Sequence, residues 1–458
     1  MKYLKNRFPI GSGRQGDLPV ENDKKILILG FGKDGAATLR VLRRFFPKQT
    51  LWIADKKADL RVRDSHVRLI LGENYLKNLD RFDVIIKSPG IPFLPEISRV
   101  AKRVTSSAQL FFDHLSPSNA VIGVTGSKGK STVAALLHAV LKHAGLKTRL
   151  IGNIGKPALP FLNHKNTVFV YELSSYQLER LHARPHIAIF TQFFPEHLNY
   201  HGSLARYFSA KKNITKYQKK EDFFIFPHSV NILRRLPTKA QKIACGVRES
   251  FWHDEEYFYH VKKKLFPVSD VKLLGEHNLQ NILLVLAAVD KLHIPLQKAA
   301  EVITSFSGLP HRLEYVGNFR GIDFYDDAIS TTPESTLAAL DIFKEKIGTI
   351  ILGGEDRGYD FSELAEALCR YRIVNIVLFP DTGERIRVKI EKILVKNSFV
   401  PRFLETRSMK EAVRFAYQHT PKGMVCLLST ASPSYSLFKN CEEKGGLFWR
   451  YVQSGGKI

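Results

Sequence analysis

Short apolar runs alternate with longer amphipathic stretches along most of the chain. Between residues 24 and 110 the runs are KILILG, LWIAD, VRLILG and DVIIKSPG, and each of them ends in Gly or Asp. Apolar runs of this length, separated by amphipathic segments, are typical of βαβ units with a parallel sheet. The pattern therefore predicts a first α/β domain over residues 24–112, and the polar residues 1–23 before it are predicted to form a loose extension.

A second series of runs begins at Ala120. AVIGVTG opens it, TVFVYELSS and HIAIFTQFF follow, and the stretch of about 215–270 looks more irregular. The segment GEHNLQNILLVLAAVDKL is then a predicted helix, whose one apolar face carries Leu279, Ile282, Leu283 and Leu286. These runs predict a central α/β domain over residues 113–308, and SPSN at 116–119 supplies the turn residues of a hinge.

A third series follows the Gly–Pro break in SGLPHR. The runs GIDFYDDAI, TIILGG, NIVLFP and GMVCLLS again alternate with amphipathic segments. They predict an α/β domain over residues 309–458. The whole pattern predicts three α/β domains in series.

Composition favours a folded protein in aqueous surroundings. Of the 458 residues, 44% are hydrophobic and 25% are charged, and no apolar run approaches the ~20 residues of a membrane span. Residues 1–16 carry positive charges without the apolar stretch of a signal peptide. The four cysteines are scattered, which argues against a zinc site or a disulfide framework and fits a reducing compartment. We expect a cytoplasmic protein without membrane insertion.

The net charge of +25 has three explanations. A basic surface can be common to the host's proteins, or the positive field can concentrate polyphosphate substrates or nucleic acid. A nucleic-acid-binding P-loop ATPase is the most remote of these alternatives, because the chain has no RNA-binding signature and no repeat of basic and aromatic residues. No nucleic-acid partner is expected.

A glycine-rich segment joins one predicted strand to a predicted helix. It lies between AVIGVT and VAALLHAVL, and its residues are Gly126, Ser127, Lys128, Gly129, Lys130, Ser131 and Thr132. Backbone N–H groups and the positive end of a helix dipole bind phosphate oxygens at such a turn. Lys130 can reach the β- and γ-phosphates, and Ser131 or Thr132 can bind Mg²⁺. Val124 departs from the strict GxxxxGK[ST] pattern, yet the strand–loop–helix context still predicts ATP binding.

A second glycine-rich loop, GFGKDG at 30–35, follows the run KILIL, and Asp55 ends the next run. A GxGxxG loop with an acid at this distance is the pattern of dinucleotide sites. Another predicted strand ends at the same sheet edge, in the loop Ser88, Pro89 and Gly90. Because a P-loop and a full NAD site on one chain would be unusual, the pattern favours a nucleotide-diphosphate site, with NAD as the alternative.

Polar residues after the later central strands add candidate chemistry. Glu172 ends a strand beside the P-loop, where an Mg²⁺-binding acid belongs, because hard cations prefer carboxylate oxygens. Asn153 lies in the loop GNIG. His197 and His201 are four residues apart, but without an HExxH pattern a zinc site is not expected. Lys211, taken alone, would be a solvated charge on a helix.

Together these segments resemble the Mur ligase family, ATP-dependent enzymes that form amide bonds in peptidoglycan precursor synthesis. The resemblance covers residues 24–458, and eleven segments occur in the family's order, which are the GxGxxG loop, KSPGIP, GVTGSKGKST, GNIG, YELSSYQLE, the His197 loop, YxxAKxxI, GEHNLQN, GLPHR, ILGGEDRGYDF and LLSTASPSYSLFKNCEEKG. Any one of them would be weak evidence. Their common order makes a chance match very unexpected.

The resemblance implies a role for each matching residue. The Rossmann-like first domain would bind the UDP substrate through Gly30, Gly32, Asp55, Ser88, Pro89, Gly90 and, from the central domain, Asn153. ATP would contact the P-loop residues 126–132 and also Asn278, Arg312 and Asp327. Two Mg²⁺ ions would be held by Ser131, Glu172, His197 and Lys211, with Lys211 as a carbamate that replaces a cation by carboxylate-like oxygens. The implied catalytic residues are Lys130, Lys211, Glu172 and His197.

The implied reaction joins glutamate to UDP-N-acetylmuramoyl-L-alanine. The carboxylate of the UDP substrate attacks the γ-phosphate of ATP, and the amine of glutamate then displaces phosphate from the acyl phosphate. Mg²⁺ and Lys130 would stabilise charge on the transferring group. Three domains that close over the substrates would keep water from the acyl phosphate. We also expect a monomer.

The resemblance places the amino-acid pocket on the Rossmann-like C-terminal domain, with Thr331, Arg357 and Ser434 as its residues. Arg357 stands where the family usually has a lysine, and a guanidinium can bind a carboxylate through two hydrogen bonds. Three positions depart from the family pattern, namely Ile329 for a lysine, Cys441 for an aromatic residue and Asn199 for an aspartate.

These departures leave D-glutamate as the favoured substrate and an L-glutamate-adding muramyl ligase as the alternative. Another member of the superfamily, such as a folylpolyglutamate synthase, is a further alternative. The folate branch lacks a UDP-binding first domain, so the loops at 30–35 and 88–90 argue against it.

Overall fold

The computed structural model of the protein describes residues 24–394 and 399–455. The predicted extension over 1–23 lies outside the described residues. Within them the chain forms three mainly parallel sheets and one small antiparallel sheet, which confirms the predicted α/β class. No helix in these ranges is long and apolar enough to cross a membrane.

The first sheet has the strand order β3-β2-β1-β4-β5 and is parallel throughout. Its strands are β1 Ile26–Leu29, β2 Leu51–Asp55, β3 Val67–Leu71, β4 Val84–Lys87 and β5 Val104–Thr105. Its helices are α1 Lys33–Phe45, α2 Pro95–Arg99 and α3 Ser107–Asp113, with 3₁₀ turns at Leu79–Arg81 and Ala101–Arg103. All four predicted runs form strands. Because the strand order reverses at β1, a crevice opens between the ends of β1 and β4, where ligands bind in such folds.

The second sheet, also parallel, has the order β11-β10-β9-β6-β8-β7. Its strands are β6 Ala120–Thr125, β7 Thr148–Gly152, β8 Val168–Glu172, β9 Ile187–Phe190, β10 Phe223–Pro227 and β11 Gln241–Cys245. The accompanying helices are α4 Lys130–His143, α5 Ser175–Leu178, α6 Leu198–His201, α7 Leu204–Lys216 and α8 Asn231–Arg234, with a 3₁₀ turn at Leu159–Phe161. The central strands β6, β8 and β9 are buried along their whole length, as their continuous apolar runs predict.

The prediction of irregular structure over about 215–270 is wrong. Besides β10 and β11, this stretch forms an antiparallel sheet of β12 Phe251–His253, β13 Tyr257–His260 and β14 Lys263–Pro267, followed by a 3₁₀ turn at Val268–Asp270. These strands span only three to five residues and are rich in polar and aromatic residues, so they lack a long apolar run. Pairing with neighbours, rather than local pattern, makes them strands.

Helix α9 (Glu276–Lys291) is present as predicted, but it is buried on more than one face. Every residue from Asn281 to Val289 is buried, because the helix contacts α4 on one side and β10 to β12 on the other. Helix α10 (Leu296–Ser305) follows it. The single apolar face predicted for α9 is therefore too narrow.

The third parallel sheet has the order β15-β16-β20-β17-β18-β19, with only the pair β15–β16 antiparallel. Its strands are β15 Glu314–Phe319, β16 Ile322–Asp326, β17 Ile347–Gly353, β18 Asn375–Phe379, β19 Arg402–Glu405 and β20 Val425–Leu428. The helices are α11 Pro333–Phe343, α12 Ser362–Arg370, α13 Thr382–Leu394, α14 Met409–His419 and α15 Cys441–Gln453, with a 3₁₀ turn at Lys344–Lys346.

The described chain divides into two compact units. The first contains the first two parallel sheets and the antiparallel sheet, and it runs to Val271 and then over Glu276–Ser305. The second consists of Lys272–Gly275 and the chain from Phe306 onwards. The three parallel sheets match the three predicted α/β parts, while the boundaries predicted at residues 112 and 308 stay predictions.

Candidate active site

The loop after β6 leads directly into the first turn of α4. Gly129 is the N-cap of α4 with a φ of +87°, and Lys130 is the first residue of the helix. A Cβ on Gly126 would lie 1.9 Å from Thr191 Oγ1, so only glycine fits this close approach. The N–H groups of a first helical turn have no partner within the helix and are available to phosphate oxygens. The helix begins earlier than the predicted run VAALLHAVL, which places Lys130 in its first turn.

Hydrogen bonds hold the side chains of the same loop in place. Ser127 Oγ lies 2.9 Å from the Phe194 carbonyl oxygen and 3.0 Å from Tyr207 Oη. Lys130 Nζ donates to the Ser127 carbonyl oxygen. Ser131 follows Lys130 in the same turn and is half-buried. These hydrogen bonds fix the conformation of the loop without a ligand, and the ammonium of Lys130 folds back over it.

Glu172 is the last residue of β8 and lies opposite Val124 of β6 in the sheet. Its carboxylate is completely buried. One oxygen, Oε1, accepts a hydrogen bond from Asn153 Nδ2 at 3.0 Å, and the other, Oε2, has no partner among the described residues. A buried carboxylate oxygen without a partner is costly, so its surroundings suit a bound cation.

Lys211 of α7 is almost completely buried, with 1% of its surface exposed. Its Nζ donates to the Gly126 carbonyl oxygen at 2.5 Å, which places the amine beneath the phosphate loop. Burial, assisted by the positive charge of Lys130 and opposed by Glu196 and Glu172, lowers the pKa of Lys211 to about 6. The solvated helix charge that the sequence alone predicts at this position is therefore wrong.

His197 caps α6 with a left-handed backbone, φ +55°. Burial lowers the pKa of its imidazole, and the charges of Lys211 and Lys130 lower it further. A neutral imidazole is the form that binds metal ions. The ring of His201 instead lies with Nε2 3.0 Å from Ser175 Oγ. The side chains named from the sequence for this part of the site thus meet at the carboxyl ends of β6, β8 and β9.

A pocket of about 360 Å³ lies at the carboxyl ends of β1, β2 and β4. Asp55 closes one side, because its carboxylate accepts from the backbone N–H groups of Phe31 at 2.7 Å and of Lys57 at 2.9 Å. Ser88 Oγ donates to the Gly30 carbonyl oxygen at 2.8 Å and ties the two loops together. The predicted first-domain residues all line this pocket, namely Gly30, Gly32, Asp55, Ser88, Pro89 and Gly90. Asn153 lies instead beside Glu172.

In the second unit, Asp327 follows β16 and is buried. Its carboxylate accepts from Ser429 Oγ at 2.8 Å and from the Leu313 N–H at 3.3 Å. Burial raises the pKa of Asp327 to about 6, against these bonds and the positive charge of Arg312. Arg312 therefore acts on Asp327 electrostatically within this unit, whereas Asn278 belongs to α9 in the first unit.

The residues predicted for the amino-acid pocket lie in loops of the second unit. Arg357 is half-exposed, and its guanidinium pairs with Glu355 at 3.0 Å. The Glu355 N–H donates to the Pro433 carbonyl oxygen, which joins this loop to the one that carries Ser434. Ser434 Oγ is buried without a partner among the described residues. Thr331, in the loop before α11, is half-buried.

Two residues near these sites were not predicted. Tyr207 places its hydroxyl against Ser127, and Lys444 of α15, 1% exposed, donates from Nζ to Thr430 Oγ1 at 2.6 Å. Burial lowers the pKa of Lys444 to about 8. Both residues lie in segments that carry the family resemblance, YxxAKxxI and NCEEKG. Their position in these segments is the sequence feature that could have identified them.

The fold and these sites define a class of protein. A phosphate loop, a buried carboxylate and a buried lysine at the edge of one parallel sheet, and a second glycine-rich loop at the edge of another, are features of a multidomain α/β nucleotide-dependent enzyme.

Sequence comparisons identify the family. The profile of the Mur ligase middle domain matches residues 124–289, and that of the Mur ligase glutamate ligase domain matches residues 311–432. The UDP-N-acetylmuramoylalanine–D-glutamate ligase of Acetivibrio thermocellus is 32% identical over 94% of this chain and 97% of its own length. The UDP-N-acetylmuramoyl-L-alanine–L-glutamate ligase of Xanthomonas axonopodis pv. citri is also 32% identical, over 93% of this chain and 94% of its own. The chain belongs to the Mur ligase family.

Solved structures support the same fold. The UDP-N-acetylmuramate–alanine ligase MurC of Thermotoga maritima superposes with a TM-score of 0.60 at 20% identity, over 94% of this chain and 99% of that one. The MurF ligase of the same organism, in complex with ADP, gives a TM-score of 0.58 at 16% identity, over 96% and 98% of the two chains.

Proposed function

We propose that this protein uses ATP to join D-glutamate to UDP-N-acetylmuramoyl-L-alanine in peptidoglycan precursor synthesis. The observation that carries the proposal is the placement of the 126–132 loop, Glu172 and Lys211 at one sheet edge. This edge offers phosphate-binding N–H groups, a carboxylate and a buried amine within one small volume. The curated relatives named as glutamate ligases supply the substrate class.

In the proposed reaction, the carboxylate of the UDP substrate attacks the γ-phosphate of ATP, forms a P–O bond and releases ADP. The amine of glutamate then attacks the acyl phosphate and expels phosphate as the amide forms. Lys130 and the first N–H groups of α4 bind the phosphates and stabilise the charge that develops during transfer. Exclusion of water during the reaction would protect the acyl phosphate from hydrolysis.

Two Mg²⁺ ions are part of this proposal. The partnerless oxygen of Glu172 and the neutral form of His197 suit them as ligands. The residues proposed to hold the ions are Ser131, Glu172, His197 and carbamylated Lys211. When bound, Mg²⁺ neutralises charge on the phosphate oxygens.

The surroundings of Lys211 support the proposed carbamate. A buried ammonium beside Lys130 and a cation site would be repelled, whereas a carbamate supplies anionic oxygens. Only a neutral amine attacks CO₂, and burial with a pKa of about 6 leaves Lys211 mostly neutral at pH 7. Carbamylation would thus convert a neutral buried amine into an anionic ligand.

The remaining residues are assigned to the binding of the UDP substrate and ATP. We assign the UDP group to the 360 Å³ pocket of the first sheet, with Asn153 toward the sugar. ATP is assigned additional contacts with Asn278, Arg312 and Asp327. Free cysteines at all four positions fit a reducing compartment, and we propose a cytoplasmic monomer.

The choice of enantiomer has a second candidate. Relatives named as D-glutamate and as L-glutamate ligases are equally identical to this chain, at 32%. An L-glutamate ligase is therefore the alternative function. The deciding experiment measures phosphate release and product mass with UDP-N-acetylmuramoyl-L-alanine and ATP, comparing D-glutamate, L-glutamate, D-aspartate and no amino acid. Product with D-glutamate alone is expected, product with L-glutamate alone would establish the alternative, and no product with any would contradict the proposed function.

The role of Arg357 gives a kinetic prediction. Arg357→Ala should raise KM for glutamate about 10-fold while leaving KM for ATP within about twofold, because one charge-assisted carboxylate contact is lost. We expect no larger increase in KM, because the guanidinium is half-exposed and water screens its interaction with the carboxylate. Steady-state kinetics with each substrate varied in turn measures both constants.

Two further variants control this measurement. Arg357→Lys should recover only part of the affinity, because an ammonium cannot form the paired hydrogen bonds of a guanidinium. Arg387→Ala removes a partly exposed arginine of α13 that pairs with Glu391 and Glu405, and it should leave both constants unchanged. A glutamate KM unaltered in Arg357→Ala would place the carboxylate elsewhere.

A further inference from the structure

Tyr200 of α6 connects the two parallel sheets of the first unit. Its hydroxyl lies 3.2 Å from the Pro89 carbonyl oxygen, 3.3 Å from that of Ile91 and 3.3 Å from Glu179 Oε2. Pro89 and Ile91 line the 360 Å³ pocket of the first sheet, whereas Glu179 follows α5 of the second. A single side chain therefore contacts the loop that lines this pocket and a residue that belongs to the second sheet's part of the unit.

The hydroxyl has one proton for three acceptors. Lys87 Nζ already donates to the Ile91 carbonyl oxygen at 2.5 Å and to that of Ser88 at 3.1 Å. A carbonyl oxygen has two lone pairs, so the Tyr200 proton still has three competing acceptors, which are the Glu179 carboxylate and the carbonyl oxygens of Pro89 and Ile91. A carboxylate is the stronger acceptor unless the carbonyl is polarised.

The pocket can supply that polarisation. The Pro89 carbonyl and the Gly90 N–H belong to one trans peptide, so they point in opposite directions, the carbonyl toward Tyr200 and the N–H away from it. An anion that accepts from the Gly90 N–H polarises the whole peptide and makes the Pro89 carbonyl a better acceptor. An anion in the pocket that accepts from the Gly90 N–H would therefore draw the Tyr200 proton from Glu179 toward Pro89.

The Tyr200 ring links this exchange to His197. Its centroid lies 4.3 Å from that of Tyr176, and the Tyr176 ring lies 5.0 Å from the His197 imidazole. Tyr200 also follows His197 by three residues, and its N–H donates to the His197 carbonyl oxygen at 3.1 Å. A change in the bonding of Tyr200 would thus act on the turn that orients His197, both through the backbone and through the tilted ring contacts of Tyr176.

We propose that Tyr200 is a positioning residue that couples occupancy of the UDP-substrate pocket to the orientation of His197, so that the UDP substrate and Mg·ATP strengthen each other's binding. This inference rests on the proposed function, since it assumes those two ligands. It assigns Tyr200 no contact with either ligand. Its role is to transmit a change in the 88–91 loop to the turn that carries His197, through the hydrogen bond of its hydroxyl.

The test compares Tyr200→Phe, which keeps the ring and removes only the hydroxyl, with the wild-type protein. Calorimetry measures the Kd of UDP-N-acetylmuramoyl-L-alanine with and without saturating β,γ-methylene-ATP and Mg²⁺. We expect the nucleotide to tighten binding in wild type by about fivefold or more, the usual lower range of coupling between sites. In Tyr200→Phe this ratio should fall to about one, with the Kd of the ATP analogue alone within about twofold of wild type.

Tyr371→Phe is the matched control, because it removes an exposed tyrosine hydroxyl that bonds to Asp341 at 2.7 Å in the other unit. It should keep the wild-type coupling ratio. Wild-type coupling that persists in Tyr200→Phe, or no coupling in wild type while both ligands bind, would overturn the inference. Loss of both affinities together with a lower Tm would show a merely structural role and would also overturn it. If wild type does not bind the UDP substrate at all, the proposed function fails first.

Discussion

Lys130→Ala is expected to lower kcat on the order of 10³-fold or more while the protein remains folded. Lys130 lies in the first turn of α4, over the loop whose N–H groups are proposed to bind phosphate. A cation there stabilises the transferring phosphoryl group more in the transition state than in the bound substrate. A loss of several kcal/mol of such stabilisation corresponds to that factor in rate. Single-turnover phosphate release measures it directly.

The matched control for this prediction is Lys142→Ala. Lys142 is an exposed lysine in the last turn of the same helix, so its removal tests for general effects of lost positive charge. Circular dichroism and Tm establish that both variants are folded. A kcat near the wild-type value in a folded Lys130→Ala would remove Lys130 from the catalytic residues.

Lys211→Ala is expected to be almost inactive, and short-chain carboxylic acids should restore part of its activity. The substitution removes the proposed carbamate and leaves a small space beneath Gly126, within electrostatic reach of Glu172. A carboxylic acid of two to three carbons could fill that space and replace the lost anionic oxygens. Activity titrated with acetate and propionate tests this, since an added acid cannot replace a lysine whose role is cationic.

Two comparisons sharpen this second prediction. Lys212→Ala removes the exposed neighbouring lysine and should behave as wild type, with no response to added acids. Wild-type activity should fall in CO₂-depleted buffer and also as the pH drops below about 6, where the Lys211 amine becomes protonated and no longer attacks CO₂. Full activity without CO₂, together with an unmodified Lys211 in the intact mass, would contradict the carbamate.

Much of the fold could be predicted from the sequence because buried parallel strands leave a direct pattern. The runs that form β1 and β9 are continuous and apolar, since both faces of these strands are covered. The glycine-rich loops could be predicted for a similar reason. A backbone that turns sharply or closely approaches a neighbour, as at Gly126, requires glycine whatever the remote surroundings.

The antiparallel strands β12 to β14 and the full burial of α9 could not be predicted in this way. Short strands depend on their neighbours for hydrogen bonds, and a helix with one apolar stripe looks the same whether one or several sides are covered. The choice between D-glutamate and L-glutamate could not be predicted from the sequence for a similar reason. It depends on the relative positions of groups such as Arg357, Thr331 and Ser434, which stand 26 or more residues apart in the sequence.

By itself, the sequence determined the α/β class, the order of the strands along the chain and the two glycine-rich loops, because each depends on local apolar pattern and backbone freedom. Only the tertiary structure decided the state of the charged groups. Lys211 reads as a solvated charge on α7, yet folding places it beneath Gly126 and beside Lys130, where desolvation and repulsion lower its pKa to about 6. Tyr200 carries no sequence signal, and it matters because folding brings Pro89 and Glu179, 90 residues apart, to the same hydroxyl. Burial and the meeting of remote residues are properties of the folded chain, and local pattern does not encode them.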